Sequence, residues 1–249
     1  MLTLIGLGLF DEKDLTLRGV EEAKKADKVY IENYTSKWFG KIEKLEKIIG
    51  KKIFELGRKD LEENSEKILD EAKTKNVVVF VIGDPLVATT HSSLLMDAKR
   101  KKIKIKIIHN ASIFSSIAET GLHLNKFGPC VTIPFPEKTK GRMPESVYEI
   151  IKMNRSRGLH TLCLLDIIEE RRMSSKEAVK ILMELENQRK ENVLKDDLGI
   201  VVFSKAGSDE TKIFFDSMKN LLNRETETPA VLIIPGILHF TEKDYLSLL

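Results

Sequence analysis

Cysteine is scarce in this sequence, with Cys130 and Cys163 the two among 249 residues. Their separation excludes a disulfide framework and a paired-cysteine metal site, so a reducing compartment, the cytoplasm, is predicted. Long apolar runs are also missing, because no stretch approaches the roughly 18 residues that a membrane span needs. The N-terminus lacks the basic and apolar parts of a signal peptide. These absences predict a cytoplasmic protein without a membrane partner.

An excess of one charge is missing too. The chain has 41 Lys and Arg against 38 Asp and Glu, a net charge of +3, which is too small to hold a polyanion by its overall field. The strongest positive segment, Lys99–Lys106, alternates Lys with Ile in its second half and contains no aromatic residue to stack on bases. That pattern favours a half-buried edge strand over a nucleic-acid site. No direct nucleic-acid partner is therefore predicted.

A second group of basic residues surrounds the apolar run that ends before Asp166. Its members are Arg155, Arg157, Arg171 and Arg172. Two interpretations stay open for this group, a surface that touches a macromolecular partner and a solvated face, the second being the more common.

Short runs rich in Val and Ile alternate with helical patterns along the chain, which predicts an α/β fold with mostly parallel sheets. In the first half strands are predicted at Leu2–Ile5, Lys28–Glu32, Lys52–Leu56, Val77–Ile82 and Lys104–Ile108, and helices at Thr16–Ala26, Trp38–Ile49, Leu61–Thr74 and Ser92–Lys101. In the second half strands are predicted at Cys130–Ile133, Thr161–Leu165, Ile200–Ser204 and Val231–Ile234, and helices at Ser112–Thr120, Glu145–Arg157, Ser175–Gln188 and Ser208–Leu222.

The pattern divides into two α/β domains, residues 1–109 and 110–249. The boundary is placed at His109–Asn110–Ala111, where the fifth strand ends and a helix begins, with Asn110 or Ser112 as its cap. The Pro- and Gly-containing segment Pro134–Pro144 is interpreted as a long loop, either a lid or an exposed connection.

Two glycine-containing turns follow apolar strands and are candidate ligand sites. Gly6-Leu7-Gly8-Leu9 follows the first strand, where glycines let a ligand approach the backbone. Position 11 is Asp11 rather than a third glycine, which weakens a dinucleotide site. Glu32 could still act as the ribose-binding acid, so a nicotinamide-dependent oxidoreductase is kept as the alternative function.

The sharpest feature is Gly83-Asp84-Pro85, which follows the most apolar strand. Ligands of open α/β sheets bind beyond the carboxyl ends of strands, where Asp84 is expected. A turn in which Asp84 only caps its own backbone is an equally open interpretation.

Other chemistries are disfavoured by missing motifs. The five histidines show no metal-ligand spacing, so no metal is predicted. The phosphate-binding Gly-rich loop and the glycines around a hydrolase serine are absent from the sequence, which argues against phosphoryl transfer and acyl hydrolysis.

Several collinear segments together resemble the diphthine synthases, a family within the tetrapyrrole-methylase class of S-adenosylmethionine-dependent methyltransferases. The resemblance spans nearly the whole chain and is carried by residues 4–9, 83–91, 109–113 and 158–166, with weaker support from 205–208. It implies two α/β domains with the cofactor in the cleft between them, and a homodimer.

The resemblance also implies which residues bind S-adenosylmethionine and its product S-adenosylhomocysteine. These are Leu9, Asp84, Val87, Ser112, Ile113, Leu165, Ala206 and Ala230. Several contacts are expected to run through the backbone, which explains apolar residues at these positions. Ala230 departs from the family, whose members place a histidine there beside the adenosine.

The implied reaction transfers methyl groups to the amine of the 3-amino-3-carboxypropyl group on one histidine of translation elongation factor 2, a step of diphthamide biosynthesis. Three methylations, or four with a methyl ester, both fit. Catalytic residues are not identified, although Asp166 is a candidate proton acceptor. A non-catalytic protein that binds the translation factor through the basic groups is a further hypothesis.

Overall fold

The computed structural model describes residues 1–168 and 171–249. The chain folds as two compact units, Met1–Ser115 and Ser116–Leu249. The domain boundary between His109 and Asn110 stays a prediction.

The first unit alternates strands and helices as the apolar pattern predicts. Its strands are β1 (Leu2–Gly6), β2 (Lys28–Glu32), β3 (Ile53–Leu56), β4 (Val77–Val81) and β5 (Ile105–Ile108). Its helices are α1 (Leu17–Lys24), α2 (Ile42–Ile49), α3 (Arg58–Glu62), α4 (Glu66–Thr74) and α5 (Ser92–Arg100), and α6 (Ile113–Ser116) crosses into the second unit. The expected strands of this half are confirmed.

One helix prediction in this unit is wrong. The segment Leu61–Thr74, expected as one helix, is divided between α3 and α4. The backbone N–H groups of Glu63 and Asn64 both donate to the Lys59 carbonyl, at 3.0 and 2.8 Å. This closes the last turn of α3, so a new helix has to begin after Ser65.

All neighbouring strands of the first sheet are parallel, in the order β3-β2-β4-β1-β5. Alternate side chains of β1 and β4 pack on opposite faces: Leu4 and Val79 against α3, α4 and α5, and Ile5 and Phe80 against α1 and α2. Burial on both faces explains why these strands are continuously apolar.

The connections from β1 and β4 leave in opposite directions. The chain passes from β1 to β2 on one side of the pair, and from β4 to β5 on the other. A crevice opens beyond the carboxyl ends of two strands that diverge in this way, and ligands of open α/β sheets bind there. The segments after β1 and β4 therefore occupy the ligand-binding position of the fold.

The second unit is a mixed α/β unit. Its strands are β6 (Val131–Ile133), β7 (Thr161–Leu165), β8 (Ile167–Ile168), β9 (Arg171–Arg172), β10 (Gly199–Ser204), β11 (Lys212–Ser217) and β12 (Ala230–Ile234). Its helices are α7 (Glu145–Ser156), α8 (Ser175–Arg189), α9 (Met218–Leu221) and α10 (Phe240–Leu246). The main sheet has the order β11-β10-β12-β7-β6 and packs one face against α7, α8 and α9.

The structure corrects two expectations about this unit. The helix expected at Ser208–Leu222 is replaced by β11 and the short α9. The sheet is not mostly parallel, since β10 pairs antiparallel with both β11 and β12, and β12 antiparallel with β7. Only a short turn separates β10 from β11, and a parallel neighbour would need a crossover of a dozen or more residues.

Candidate functional site

The segments after β1 and β4 are joined beyond the ends of their strands. The Leu7 N–H donates to the Val81 carbonyl at 2.8 Å, and Gly8 and Gly83 exchange backbone hydrogen bonds of 3.2 and 2.9 Å. Gly8 has a φ of +82° and Gly83 a φ of +73°, conformations that glycine adopts without steric cost. The two turns therefore form one linked unit at the divergence of the strands.

The glycines of these turns differ in what lies beside them. A Cβ on Gly8 would lie 2.5 Å from Cβ of Asp14, and one on Gly6 would lie 2.5 Å from the Gly83 carbonyl oxygen. At Gly83 the nearest atom would be Cβ of Ser112, at 3.7 Å. Contacts within the protein therefore explain the glycine at position 8, whereas a Cβ at Gly83 would meet its neighbours only at ordinary van der Waals distance. The approach of a ligand to the Gly6–Leu9 turn stays a prediction.

Asp84 connects three segments of the first unit. One carboxylate oxygen accepts the backbone N–H of Leu86 at 3.0 Å. The other accepts from Nδ1 of His109 at 2.8 Å and from the backbone N–H of Asn110 at 3.2 Å. Asp84 is 5% exposed. It thus caps its own turn, as the simpler interpretation predicts, and it also binds the exit of β5.

Asn110 adds a second connection, which sequence reasoning missed. Its side-chain amide donates to the carbonyls of Gly6 and Asp14, both at 3.0 Å. Its side-chain oxygen accepts from the neighbouring Ala111 N–H, so Asn110 is not the cap of α6. The only sequence signal is that His109 and Asn110 are polar and follow an apolar strand directly.

The predicted cofactor contacts of the first unit are all on these exit segments. Leu9 follows β1, Asp84 and Val87 follow β4, and Ser112 and Ile113 follow β5. The neighbouring positions of β4, β1 and β5 bring these segments to one edge of the sheet.

The remaining predicted contacts are gathered at one edge of the second sheet. Leu165 is the last residue of β7, Ala230 is the first of β12, and Ala206 lies in the turn after β10. Ala230 pairs with Ser204, and its neighbour Val231 pairs with Leu164. The antiparallel register therefore brings the end of β7 beside the start of β12.

Glu32 does not have the environment of a ribose-binding acid. The side chain is fully buried. One oxygen accepts from the Ile82 N–H at 3.2 Å and the Thr35 hydroxyl at 2.6 Å, and the other from the N–H groups of Tyr34 and Thr35. Four hydrogen bonds satisfy this carboxylate within the protein. The oxidoreductase alternative, which needs Glu32 to bind a ribose, is therefore not supported.

Asp166 is held in a similar way. Its oxygens accept from the backbone N–H groups of Phe135 and Ile167, at 2.9 and 2.8 Å, and from the Lys138 ammonium at 2.6 Å. These bonds fasten the first part of the Pro134–Pro144 loop to the end of β7. The carboxylate anchors this loop, and because its oxygens already accept three hydrogen bonds, a role as proton acceptor is not favoured.

Several members of the two groups of basic residues have partners nearby. The edge position of β5 is confirmed, and Lys106 pairs with Glu22 at 2.9 Å. Arg155 donates to the Pro235 carbonyl, near the start of β7, whereas Arg171 pairs with Glu137 and Glu177 beyond its end. Arg155 and Arg171 therefore lie at opposite ends of the strand and do not share one surface, and the interpretation as solvated residues is not contradicted.

The part of the chain that the structure describes contains no group of three or more His, Cys, Asp or Glu side chains able to hold a metal ion. Within the same residues, no helix is long and apolar enough to cross a membrane. Cys130 is exposed and Cys163 is buried, and both are free thiols. Burial raises the pKa of the Cys163 thiol, so this group stays protonated at neutral pH.

Comparison with known proteins identifies the family. The tetrapyrrole (corrin/porphyrin) methylase model matches residues 1–222. Two proteins named diphthine synthase, from Methanocaldococcus jannaschii and Methanococcus aeolicus, are 47% and 44% identical to the chain, covering 100% of it and 98% of their own length. A crystal structure of diphthine synthase matches with a TM-score of 0.89 at 40% identity, over 99% of this chain and 94% of its own. The chain belongs to the tetrapyrrole methylase family, and the protein is a methyltransferase.

Proposed function

We propose that this methyltransferase is a diphthine synthase. It transfers methyl groups repeatedly from S-adenosylmethionine to the amine of the 3-amino-3-carboxypropyl group on a histidine of translation elongation factor 2. The observation that carries the proposal is the similarity of the entire chain to diphthine synthases, 47% identity over 255 aligned residues in one relative. A homodimer in the cytoplasm is part of the proposal.

The exit segments of the first sheet fit an S-adenosylmethionine ligand. A Cβ at Gly83 would meet Ser112 only at van der Waals distance, 3.7 Å, so the backbone is less crowded there than at Gly6 and Gly8. Asp84 stabilises the turn that carries Val87 by accepting the Leu86 N–H. The proposed contacts in this unit are Leu9, Asp84, Val87, Ser112 and Ile113, and those in the second unit are Leu165, Ala206 and Ala230.

Alanine at position 230 contributes no polar side-chain atom. It is buried, with 9% of its surface exposed, and is paired within the sheet to Ser204. Any contact it makes with the adenosine is therefore limited to shape and backbone groups. A histidine introduced by Ala230→His tests whether a polar contact there strengthens cofactor binding.

The bound cofactor supplies a sulfonium methyl group that is reactive enough for direct transfer to an amine. The residues of the protein then have to align the two groups and exclude water, which can supply several kcal/mol of the barrier. An amine with a pKa near 10 must first lose a proton, at a cost of about 4 kcal/mol at neutral pH. The buried hydrogen bonds of Asp84 suit it to holding the turn rather than to accepting this proton.

Calorimetric titration with S-adenosylhomocysteine, with NADH as the control ligand, is the first test. We expect saturable binding of S-adenosylhomocysteine and none of NADH. Mass spectrometry of elongation factor 2 bearing the 3-amino-3-carboxypropyl group then counts the methyl groups added. Binding of NADH alone, or cofactor binding without any methyl transfer to this substrate, would contradict the proposal.

A further inference from the structure

Two carboxylates, the buried Glu32 and the partly exposed Glu62, connect Tyr34 to the segment that follows β4. Glu32, the last residue of β2, accepts from the backbone N–H groups of Ile82 and Tyr34, at 3.2 and 3.3 Å. Because β2 and β4 are parallel neighbours, both exit segments leave from the same edge of the sheet. Glu32 therefore fixes the start of one segment against the start of the other.

Glu62 makes a second connection farther along the same segments. One of its oxygens accepts from the Arg58 guanidinium at 3.1 Å and from the Thr90 hydroxyl at 2.9 Å. The guanidinium lies 4.9 Å from the centre of the Tyr34 ring. Tyr34 is thus connected to both ends of the segment from Ile82 to His91, through Glu32 at one end and through Arg58 and Glu62 at the other.

His91, which directly precedes α5, presents a buried acceptor. The side chain is 2% exposed, and its Nδ1 lies 3.0 Å from the Pro85 carbonyl oxygen. A carbonyl can only accept, so Nδ1 carries a hydrogen, and in the neutral imidazole Nε2 is then the acceptor. Nε2 is buried and has no hydrogen-bond partner among residues 1–168 and 171–249.

Tyr34 presents a buried donor on the same face of the sheet. Tyr34 packs against the apolar cluster to which α3, α4 and α5 contribute, and its hydroxyl has no partner within the described ranges. Burial raises the pKa of this hydroxyl, and the charges of Glu32 and Glu62 raise it further against the opposing effect of Arg58. The group therefore stays protonated and able to donate.

A buried donor and a buried acceptor without partners are costly to a fold, and such groups call for a specific explanation. We propose that the Tyr34 hydroxyl and His91 Nε2 form a subsite for an α-amino acid group, whose amine donates to His91 and whose carboxylate accepts from Tyr34. The nearby Arg58 guanidinium favours the carboxylate. This inference rests on the proposed function and adds residues outside its cofactor contacts.

Two molecules in the proposed reaction carry an α-amino acid group. One is the methionine part of the cofactor, and the other is the 3-amino-3-carboxypropyl group of the substrate. Both offer an amine and a carboxylate on one carbon, so the subsite chemistry is the same for either. Internal water that satisfies both protein groups is the competing explanation, and it predicts no effect on ligand affinity.

The test uses Tyr34→Phe and His91→Asn. The first removes only the hydroxyl. The second keeps a side-chain N–H near the position of Nδ1, able to donate to Pro85, and removes the Nε2 acceptor. Tyr148→Phe in the second unit is the matched control, because it removes a buried hydroxyl that already binds Glu186 at 2.9 Å. Thermal unfolding of each variant establishes that it is folded.

Titrations with S-adenosylhomocysteine and with 5′-methylthioadenosine, which lacks the amino acid group, separate the two sources. If the subsite holds the methionine part, both variants weaken S-adenosylhomocysteine binding by about 5- to 100-fold and leave 5′-methylthioadenosine binding unchanged. If it holds the substrate group, both affinities stay at wild type, and KM for the modified elongation factor rises by a similar factor. Tyr148→Phe changes none of these values.

Wild-type affinities and wild-type KM in folded Tyr34→Phe and His91→Asn would overturn the subsite and leave the proposed function intact. Where one variant fails to fold, the other decides the question. A wild-type protein that binds no S-adenosylhomocysteine would refute the proposed function, and the subsite with it. Equal weakening of both nucleosides would also overturn the subsite, since the amino acid group would then not be what these residues bind.

Discussion

Replacing Asp84 by asparagine tests whether this residue holds the exits of β4 and β5 together. Asparagine has nearly the same shape and retains one side-chain oxygen, which can still accept from the Leu86 N–H. The amide nitrogen then takes the place of the oxygen that accepts from Asn110 and His109. The substitution therefore removes one acceptor and the negative charge without opening a cavity.

The expected cost follows from which hydrogen bonds survive. The Asn110 N–H is left facing another donor, and a buried group that loses its partner costs about 1–3 kcal/mol. The His109 ring is largely exposed, with 66% of its side-chain surface accessible, so it can turn to water at little cost. Any part of this cost that the free variant avoids by letting the two exits separate returns when binding brings them together again. The losses of stability and of S-adenosylhomocysteine affinity therefore add up to about 1–3 kcal/mol, and affinity falls by at most about 150-fold.

The assay combines calorimetry with hydrogen exchange. We expect faster exchange of the Asn110 amide, a thermal midpoint lower by about 2–10 °C, and the weaker ligand binding just given. Asp216→Asn is the control, since Asp216 also accepts from a backbone N–H, that of Ser217 at 2.8 Å, but lies outside the proposed contacts. Wild-type exchange, midpoint and affinity in Asp84→Asn would refute the reasoning.

Three further substitutions test the structural interpretation. Gly8→Ala should destabilise the fold by clearly more than Gly50→Ala. Both glycines have a positive φ, which costs about 1–2 kcal/mol for alanine, but only a Cβ at position 8 would lie 2.5 Å from Asp14, whereas one at position 50 meets nothing within 4 Å. Equal thermal midpoints for the two variants would contradict this. Glu32→Gln should lower the free energy of unfolding by about 1–3 kcal/mol and leave the protein without NADH binding, as in the wild type. A wild-type stability in urea denaturation would show that the four hydrogen bonds of Glu32 contribute little. Burial raises the pKa of Glu242, but hydrogen bonds from Lys126, two backbone N–H groups and His160 outweigh this effect and lower the pKa to about 2. Because the folded pKa lies below the usual 4.5, this carboxylate stabilises the fold by about 3 kcal/mol above pH 4.5 and loses that contribution as pH falls towards 2. Urea denaturation between these pH values should show this loss of stability in the wild type and not in Glu242→Gln.

Most elements could be predicted because their signals are local. The alternation of Val- and Ile-rich runs with helical patterns indicated all five strands of the first sheet. The exception at Lys212–Ser217 shows the limit of such signals. Ile213, Phe214 and Phe215 suit either a buried helix or a strand, and it is antiparallel pairing with β10 that selects the strand.

The hydrogen-bond partners of individual polar residues were less predictable than their position in the fold. The glycines after β1 and Asp84 after β4 lie at the carboxyl edge of the first sheet, as predicted. The partners that determine their roles are distant in sequence. Asn110 binds the Gly6 carbonyl across 104 positions, and Glu32 binds the Ile82 N–H across 50.

The sequence by itself determined the α/β class, the apolar pattern of the buried strands, and the family resemblance carried by residues 4–9, 83–91, 109–113 and 158–166. These depend on local periodicity and on short motifs. The tertiary structure alone decided that Asp14 leaves no room for a side chain at Gly8 and that Glu32 is satisfied within the protein. It also decided that, among residues 1–168 and 171–249, Tyr34 and His91 keep buried atoms without a hydrogen-bond partner. Each of these facts depends on which side chains meet across the sheet edge, and that contact exists only after the chain has folded.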